Sequence, residues 1–168
     1  MRSTMQSRLR RFLLLGALSF VLGLCCFAAE RFVDNKNGTV TDTKTGLMWA
    51  TKDNGSKINW YDAKKYSESY RGGGYSDWRM PTMSELGGLY DAEQWQPGRQ
   101  WRPDPCDAQY PLRLITNLIQ LSCDPIWSSD TMDSSSEAFF FVFINGSSIH
   151  IDRGSSGNIR ALPVRTVK

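Results

Sequence analysis

Gly72-Gly73-Gly74-Tyr75-Ser76-Asp77-Trp78-Arg79-Met80-Pro81-Thr82-Met83-Ser84-Glu85 closes one helix and opens another within fourteen residues. The three glycines stop a helix, because a residue without Cβ costs helix stability and readily adopts positive φ. Thr82, three residues before Glu85, has the spacing of a capping box and starts a short second helix carrying Met83, Leu86 and Leu89. Upstream, the first helix runs from Trp60 to about Tyr70. Asn59 is its N-cap, and Asp62 lies near its positive end. Ala63, Tyr66 and Tyr70 recur at helical spacing and predict a narrow buried stripe.

Outward from the helices the pattern turns to β. Phe32-Val33 and Thr39-Val40-Thr41 flank Asn37-Gly38, where positive φ is cheap, and so predict a hairpin. Thr45-Gly46 breaks the chain again before Leu47-Met48-Trp49. The loop Asp34-Asn35-Lys36-Asn37-Gly38 is no calcium loop of EF-hand type, because aligning Gly38 with that loop's glycine puts Val33 at the first ligand position. Downstream, Ile126-Trp127-Ser128-Ser129 predicts a short strand, and Asp130 to Ser136 a polar loop. Ala138 to Ile144 is apolar on both faces, as in a central strand. Asn145-Gly146 turns the chain, Ser147 to Asp152 pairs back, and Ile159 to Val167 is expected as the final strand, with Pro163 at an edge or bulge. Between the halves, residues 91 to 124 form an irregular excursion marked by Trp95, Pro97, Trp101, Pro103, Pro105 and Pro111 around the apolar stretch Leu112 to Leu121. Loops of that length in a compact domain are often functional or else variable surface.

The chain has 168 residues, enough for one core, with 40% hydrophobic and 22% charged residues. Its charge of +3 is concentrated at the start, in Arg2, Arg8, Arg10 and Arg11. Subtracting those four from 20 basic residues leaves 16 against 17 acidic ones, a net of −1. Such a chain has no overall field to draw it to nucleic acid or anionic lipid. The arginine-rich start, the apolar run Phe12 to Phe27 and then Ala28-Ala29 read as a secretory signal over residues 1–29, leaving a mature domain over 30–168. The apolar run is shorter than the roughly 20 residues a membrane span needs, so no stable span is expected after cleavage. A periplasmic or secreted location follows. Lipoprotein anchoring at Cys25 or Cys26 is disfavoured because Leu24 or Cys25 stands where a small residue is usual. The remaining pair, Cys106 and Cys123, is expected to form a disulfide in an oxidising compartment. Closing a loop of about 18 residues contributes roughly 3 kcal/mol in the chain-entropy account.

Catalytic chemistry has little to work with. His150 is the sole histidine, and between Ile149 and Ile151 on a predicted strand it reads as solvent-facing or hydrogen-bonded. Zinc sites built from clustered His and Cys have no support. Asp130, Asp133 and Glu137 could gather for acid/base work or calcium, although polar loops carry such residues for solvation alone. Gly72 to Gly74 lacks the Lys-Ser/Thr ending of a phosphate loop. No cofactor is implied. Trp49, Trp60, Trp78 and Trp127 are expected in the core. Trp95 and Trp101 lie in the excursion with Arg99 between them, a pairing suited to stacking on a sugar or gripping an acidic glycan or peptide, or else to covering the loop's own apolar stretch.

Taken in order, Asn37-Gly38-Thr39-Val40-Thr41-Asp42-Thr43-Lys44-Thr45-Gly46-Leu47-Met48-Trp49, Trp60-Tyr61-Asp62-Ala63, Gly73 to Thr82 with Glu85-Leu86, Trp127-Ser128-Ser129 and the closing Ile159-Arg160 and Val164-Arg165 resemble the DUF1566 family. That family is similar to the C-terminal domain of the Legionella collagen-like adhesin. The resemblance implies an α+β fold like C-type lectins and the formylglycine-generating enzyme, with two helices flanking small twisted antiparallel sheets, chain ends close together and a long irregular loop region. It also implies glycan or surface attachment. Where family members often carry cysteines, this chain has Ser67 and Ala161, a joint loss that is coherent if the two normally bridge. Neither a calcium-dependent sugar motif nor the oxidase's cysteine arrangement is recognisable.

The expectation is therefore an exported binding module for a glycan or an envelope or surface protein. Its candidate contacts are Trp95, Arg99, Trp101 and Tyr110, supported by Asp130 and Asp133. The rival classes are an enzyme, either a copper-dependent oxidase using Cys106 and Cys123 or a hydrolase using the acidic loop, and a structural envelope component without a small ligand.

Overall fold

The computed structural model describes residues 30–94, 112–122, 125–133 and 136–168. Two antiparallel sheets and two helices make an α+β domain, as expected. The first sheet has strand order β1-β2-β3-β7, from β1 (Phe32–Asp34), β2 (Thr39–Asp42), β3 (Leu47–Ala50) and β7 (Val164–Thr166). The second has order β4-β5-β6, from β4 (Pro125–Thr131), β5 (Glu137–Val142) and β6 (Ser147–Asp152). The helices are α1 (Trp60–Ser69) and α2 (Met83–Gly87). The first and last strands belong to the same sheet, at its two opposite edges.

Local chemistry accounts for most boundaries. Asn59 Oδ1 accepts the Asp62 N–H at 2.9 Å and caps α1. Thr82 and Glu85 form the reciprocal capping box of α2. In the β1–β2 turn the positive φ falls on Lys36 and Gly38, not on Asn37. Asp34 is the reason, because its carboxylate accepts the Lys36 N–H at 2.8 Å and holds that residue in the turn. The stripe of α1 also differs from expectation: Ala63 and Ser67 are buried, whereas Tyr66 and Tyr70 are only half-buried. Ser67 resolves its burial by donating to the Ala63 carbonyl at 2.9 Å.

The connector between the helices joins the two sheets. Arg79 exchanges both backbone bonds with Val164 of β7, at 2.9 and 3.0 Å, while the Pro81 carbonyl accepts from Ser129 of β4 at 2.7 Å. The Arg79 guanidinium forks onto Glu85 at 2.8 and 2.6 Å, and Glu85 also accepts the Thr82 N–H at 2.8 Å. Partial burial pushes the Glu85 carboxyl up, but the Arg79 fork and the Thr82 amide more than offset it and hold it below the usual range. A depressed carboxylate contributes stability above its unfolded value, about 4.3 for glutamate, and that contribution fades as pH falls through the folded value. Glu85→Gln is therefore expected to lower the thermal midpoint at pH 7 and to flatten its decline between pH 5 and pH 2, read by circular dichroism.

The closing segment is a second tie between the sheets, and it departs from the expected strand over Ile159 to Val167. Only Val164–Thr166 is strand. Before it, Arg160 lies parallel to β4, donating to the Pro125 carbonyl at 2.8 Å and accepting from Trp127 at 2.9 Å. The segment then crosses to β3, where the Pro163 carbonyl accepts the Ala50 N–H at 3.0 Å. A strand cannot serve both sheets without a break, and proline, having no amide, supplies it.

Two clusters form the core. The larger unites Val40, Leu47 and Trp49 of the first sheet with Leu86, Leu89, Leu114, Ile119 and Leu121, and with Ile126, Phe141 and Phe143. The smaller packs Ala63 of α1 and Met80, Ile159 and Ala161 against Trp127, Ala138 and Phe140. The second sheet is thus buried on both faces over its β4–β5 part, which explains the continuous apolar run of β5. Trp49, Trp78 and Trp127 are fully buried, as expected, whereas Trp60 is half-buried against the smaller cluster and donates its indole N–H to the Ser128 carbonyl at 2.8 Å.

Candidate functional site

Leaving α2, the chain enters the irregular excursion through a short backbone ladder. Asp91 N–H donates to the Arg113 carbonyl at 3.1 Å, and Ile115 N–H to the Leu89 carbonyl at 2.8 Å. Tyr90 and Leu114 lie opposite each other in antiparallel register. Arg113 N–H reaches across to the Phe143 carbonyl at 3.0 Å, tying this stem to the β5–β6 turn. Buried Leu89 and Leu114 anchor its two limbs in the larger core. The Tyr90 ring lies edge-on to Phe141 at 5.8 Å and rests on Gly146, where a Cβ would come within 2.9 Å of it. Gly146 also has φ 75°, so the turn needs glycine twice over.

The return limb is pinned at its far end as well. Gln120 N–H donates to the Thr51 carbonyl at 2.8 Å. Ser122 gives both its N–H and its hydroxyl to Asp53, and Arg160 Nε donates to the same hydroxyl at 3.1 Å. Trp95, Arg99, Trp101, Cys106 and Tyr110, carried between these limbs, lie outside the described residues, as does Cys123.

Asp130 and Asp133, the acidic residues expected to support this surface, have different settings. Asp130 belongs to β4, not to the polar loop, because β4 extends to Thr131. Its Oδ2 accepts the Met83 N–H at 2.7 Å, at the start of α2, while its own N–H donates to Ser128 Oγ at 3.0 Å. The stem departs from the opposite end of α2, about 7.5 Å away for five helical residues. Asp133 is exposed beyond the end of β4. Glu137 is at the start of β5, where its Oε2 lies 3.1 Å from His150 Nδ1. His150 is an exposed strand histidine, edge-on to Phe139 at 5.6 Å, in accord with its sequence reading. Asp130, Asp133 and Glu137 therefore do not gather as a carboxylate cluster, and among the described residues no group of three or more His, Cys, Asp or Glu could hold a metal ion. Because Asp130 supports a helix end, Asp130→Ala is expected to cost about 1 kcal/mol of stability, measured by urea unfolding.

Two long-range contacts were illegible in the sequence. Arg165 of β7 forks onto Asp77 at 2.7 and 3.1 Å, with its guanidinium carbon 3.9 Å from the Tyr75 ring centre. The Asp77 carboxyl is held below its usual value by that hydrogen-bonded arginine. The other is the Asp53–Ser122–Arg160 network. Neither has a local spacing signal, since 88 residues separate Asp77 from Arg165 and 69 separate Asp53 from Ser122.

The family model of the Lcl C-terminal domain matches residues 38–165. The chain belongs to the Lcl C-terminal domain family. In this Lcl C-terminal domain the matched span opens at Gly38 in the β1–β2 turn and closes within β7, so it contains both helices, both intersheet ties and the stem of the excursion. Comparison with curated proteins returned no match. Among the described residues, no helix of the domain is long and apolar enough to cross a membrane.

Proposed function

We propose that this chain is an exported, adhesin-like binding module that recognises a glycan or an envelope or surface protein through the 91–124 excursion, on a scaffold of C-type-lectin kind. Residues 1–29 are its secretory signal and residues 30–168 the mature domain, acting in the periplasm or outside the cell. Trp95 and Trp101 supply flat apolar faces, Arg99 the donors for hydroxyl or carboxylate groups, and Tyr110 a further amphipathic ring, with Asp130 and Asp133 in a supporting place. Cys106 and Cys123 staple the excursion. The observation that carries this reading is the stem: a loop rich in aromatics and arginine is held at both limbs by backbone bonds to the scaffold. A clamped base lowers the ordering cost of binding, as preorganised recognition loops require.

A glycan array with and without calcium, repeated with immobilised envelope proteins, identifies the ligand. The double variant Trp95→Ala, Trp101→Ala is expected to weaken the best ligand at least about 30-fold, since even one buried aromatic anchor carries about 2 kcal/mol or more. Unchanged affinity in a folded double variant would refute the assignment. Thiol titration of the exported protein separates the oxidase alternative: two free, reactive thiols would favour chemistry, none a staple.

A further inference from the structure

We propose that β6 is a self-association edge, through which two copies of this chain pair antiparallel and merge their second sheets into one six-stranded sheet. The phase of the ladder identifies the free groups. Arg153 N–H donates to the Ser136 carbonyl at 2.8 Å, and on the other side of β5 Met132 N–H donates to the Glu137 carbonyl at 3.3 Å. With the register Glu137 opposite Asp152 through Val142 opposite Ser147, Ser147, Ile149 and Ile151 direct their amides and carbonyls toward β5. Ser148 and His150 direct theirs outward, and among the described residues nothing bonds them there.

The two edges of this sheet are treated differently. Along β4, Pro125 and Trp127 bond to Arg160, and Ser129 to Pro81, so that edge is covered. The β6 edge, Ser-Ser-Ile-His-Ile-Asp, has no lysine and no proline, and its register to β5 runs without a bulge. Ile149 on it is 45% exposed.

Self-pairing through the outward groups leaves few registers, and side-chain chemistry selects one. With Ser148 opposite His150 of the second copy, Ile149 faces Ile149 at a non-hydrogen-bonded position, where Cα atoms approach to about 4.5 Å and side chains pack closely. The two exposed isoleucines then cover each other on the Phe140 face, while each imidazole lies across from a serine hydroxyl. Asp152, the one carboxylate of the strand, falls opposite Gly146, so no like charges meet. The neighbouring register, His150 opposite His150, sets two identical imidazoles against each other and places Ile149 opposite Ile151, a side chain already packed against the smaller cluster.

The test uses the full mature chain. Under mild oxidation Ile149→Cys is expected to give a disulfide-linked dimer joined at position 149, identified by mass spectrometry of the linked peptide. His150→Cys stays at the baseline of the unsubstituted chain, which retains Cys106 and Cys123. Ile149→Lys, with an unchanged circular dichroism spectrum, abolishes the rise in sedimentation coefficient that the unsubstituted chain shows with concentration. Cross-linking through His150→Cys instead would overturn the register. An unlinked Ile149→Cys, or a monomer at all concentrations whose Ser148 and His150 amides resist hydrogen exchange, would overturn the proposal and assign the edge to another segment of the same chain.

Discussion

Trp127→Ala is expected to cost about 3–5 kcal/mol, the loss typical of deleting a buried ring from a packed core. The Trp127 side chain is fully buried at the centre of the smaller cluster, edge-on to Phe140 at 5.9 Å and packed with Ala63 and Met80. It is also a hydrogen-bond donor, giving its indole N–H to the Ile58 carbonyl at 2.8 Å just before α1. Truncation opens a cavity between α1 and the second sheet and leaves that carbonyl unpaired. Since a domain holds only about 5–15 kcal/mol in total, this loss is a large fraction of the stability, and the thermal midpoint should fall steeply. Trp127→Phe separates the two contributions: it restores most of the apolar volume and is expected to cost about 1–3 kcal/mol for the orphaned carbonyl. Urea unfolding of both variants is the measurement. A cost below about 1 kcal/mol for the alanine variant would contradict the packing described for this cluster.

Asp53→Asn should cost about 2–3 kcal/mol, although the two side chains are nearly the same size. Three donors converge on the Asp53 carboxylate: the Ser122 N–H, the Ser122 hydroxyl at 2.8 Å and the Gly55 N–H at 2.8 Å. An amide offers one acceptor oxygen and presents donors where the second oxygen stood, so at least one buried N–H would face another N–H. The damage is expected to be local as well as global. Ser122 fixes the end of the return limb, and hydrogen exchange at Gln120 and Ser122 should accelerate more than at Val40 or Phe141. Equal acceleration everywhere would show that the limb is held by its apolar residues alone.

Much of the fold was legible because its signals are local. Asn59 before Asp62 and Thr82 before Glu85 put a side-chain oxygen three residues ahead of an orphan amide, and any helix starting there takes the same cap. The apolar run of β5 correctly implied a strand covered on both faces, although not that α1 lies over one and α2 with the first sheet over the other. The closing segment was overextended, because periodicity cannot reveal that Arg160 pairs with one sheet and Val164 with the other. Asp130 was read as a loop carboxylate for the same reason: its partner, the Met83 amide, is 47 residues away. Of the candidate site, composition marked the excursion as distinct, but the clamp at its base depends on Leu89, Phe143 and Asp53 meeting residues far along the chain.

The sequence by itself determined where helices start, where turns fall and which strands carry apolar residues, since these follow from interactions spanning two to four residues. Tertiary structure alone decided that Arg79 and Pro81, and again Arg160 and Val164, bridge the two sheets, that Asp53 grips Ser122, and that among the described residues one edge of the second sheet is covered while the other has no backbone partner. Those outcomes rest on hydrogen bonds between distant segments. Their partners are brought within reach only when the apolar faces have found one another.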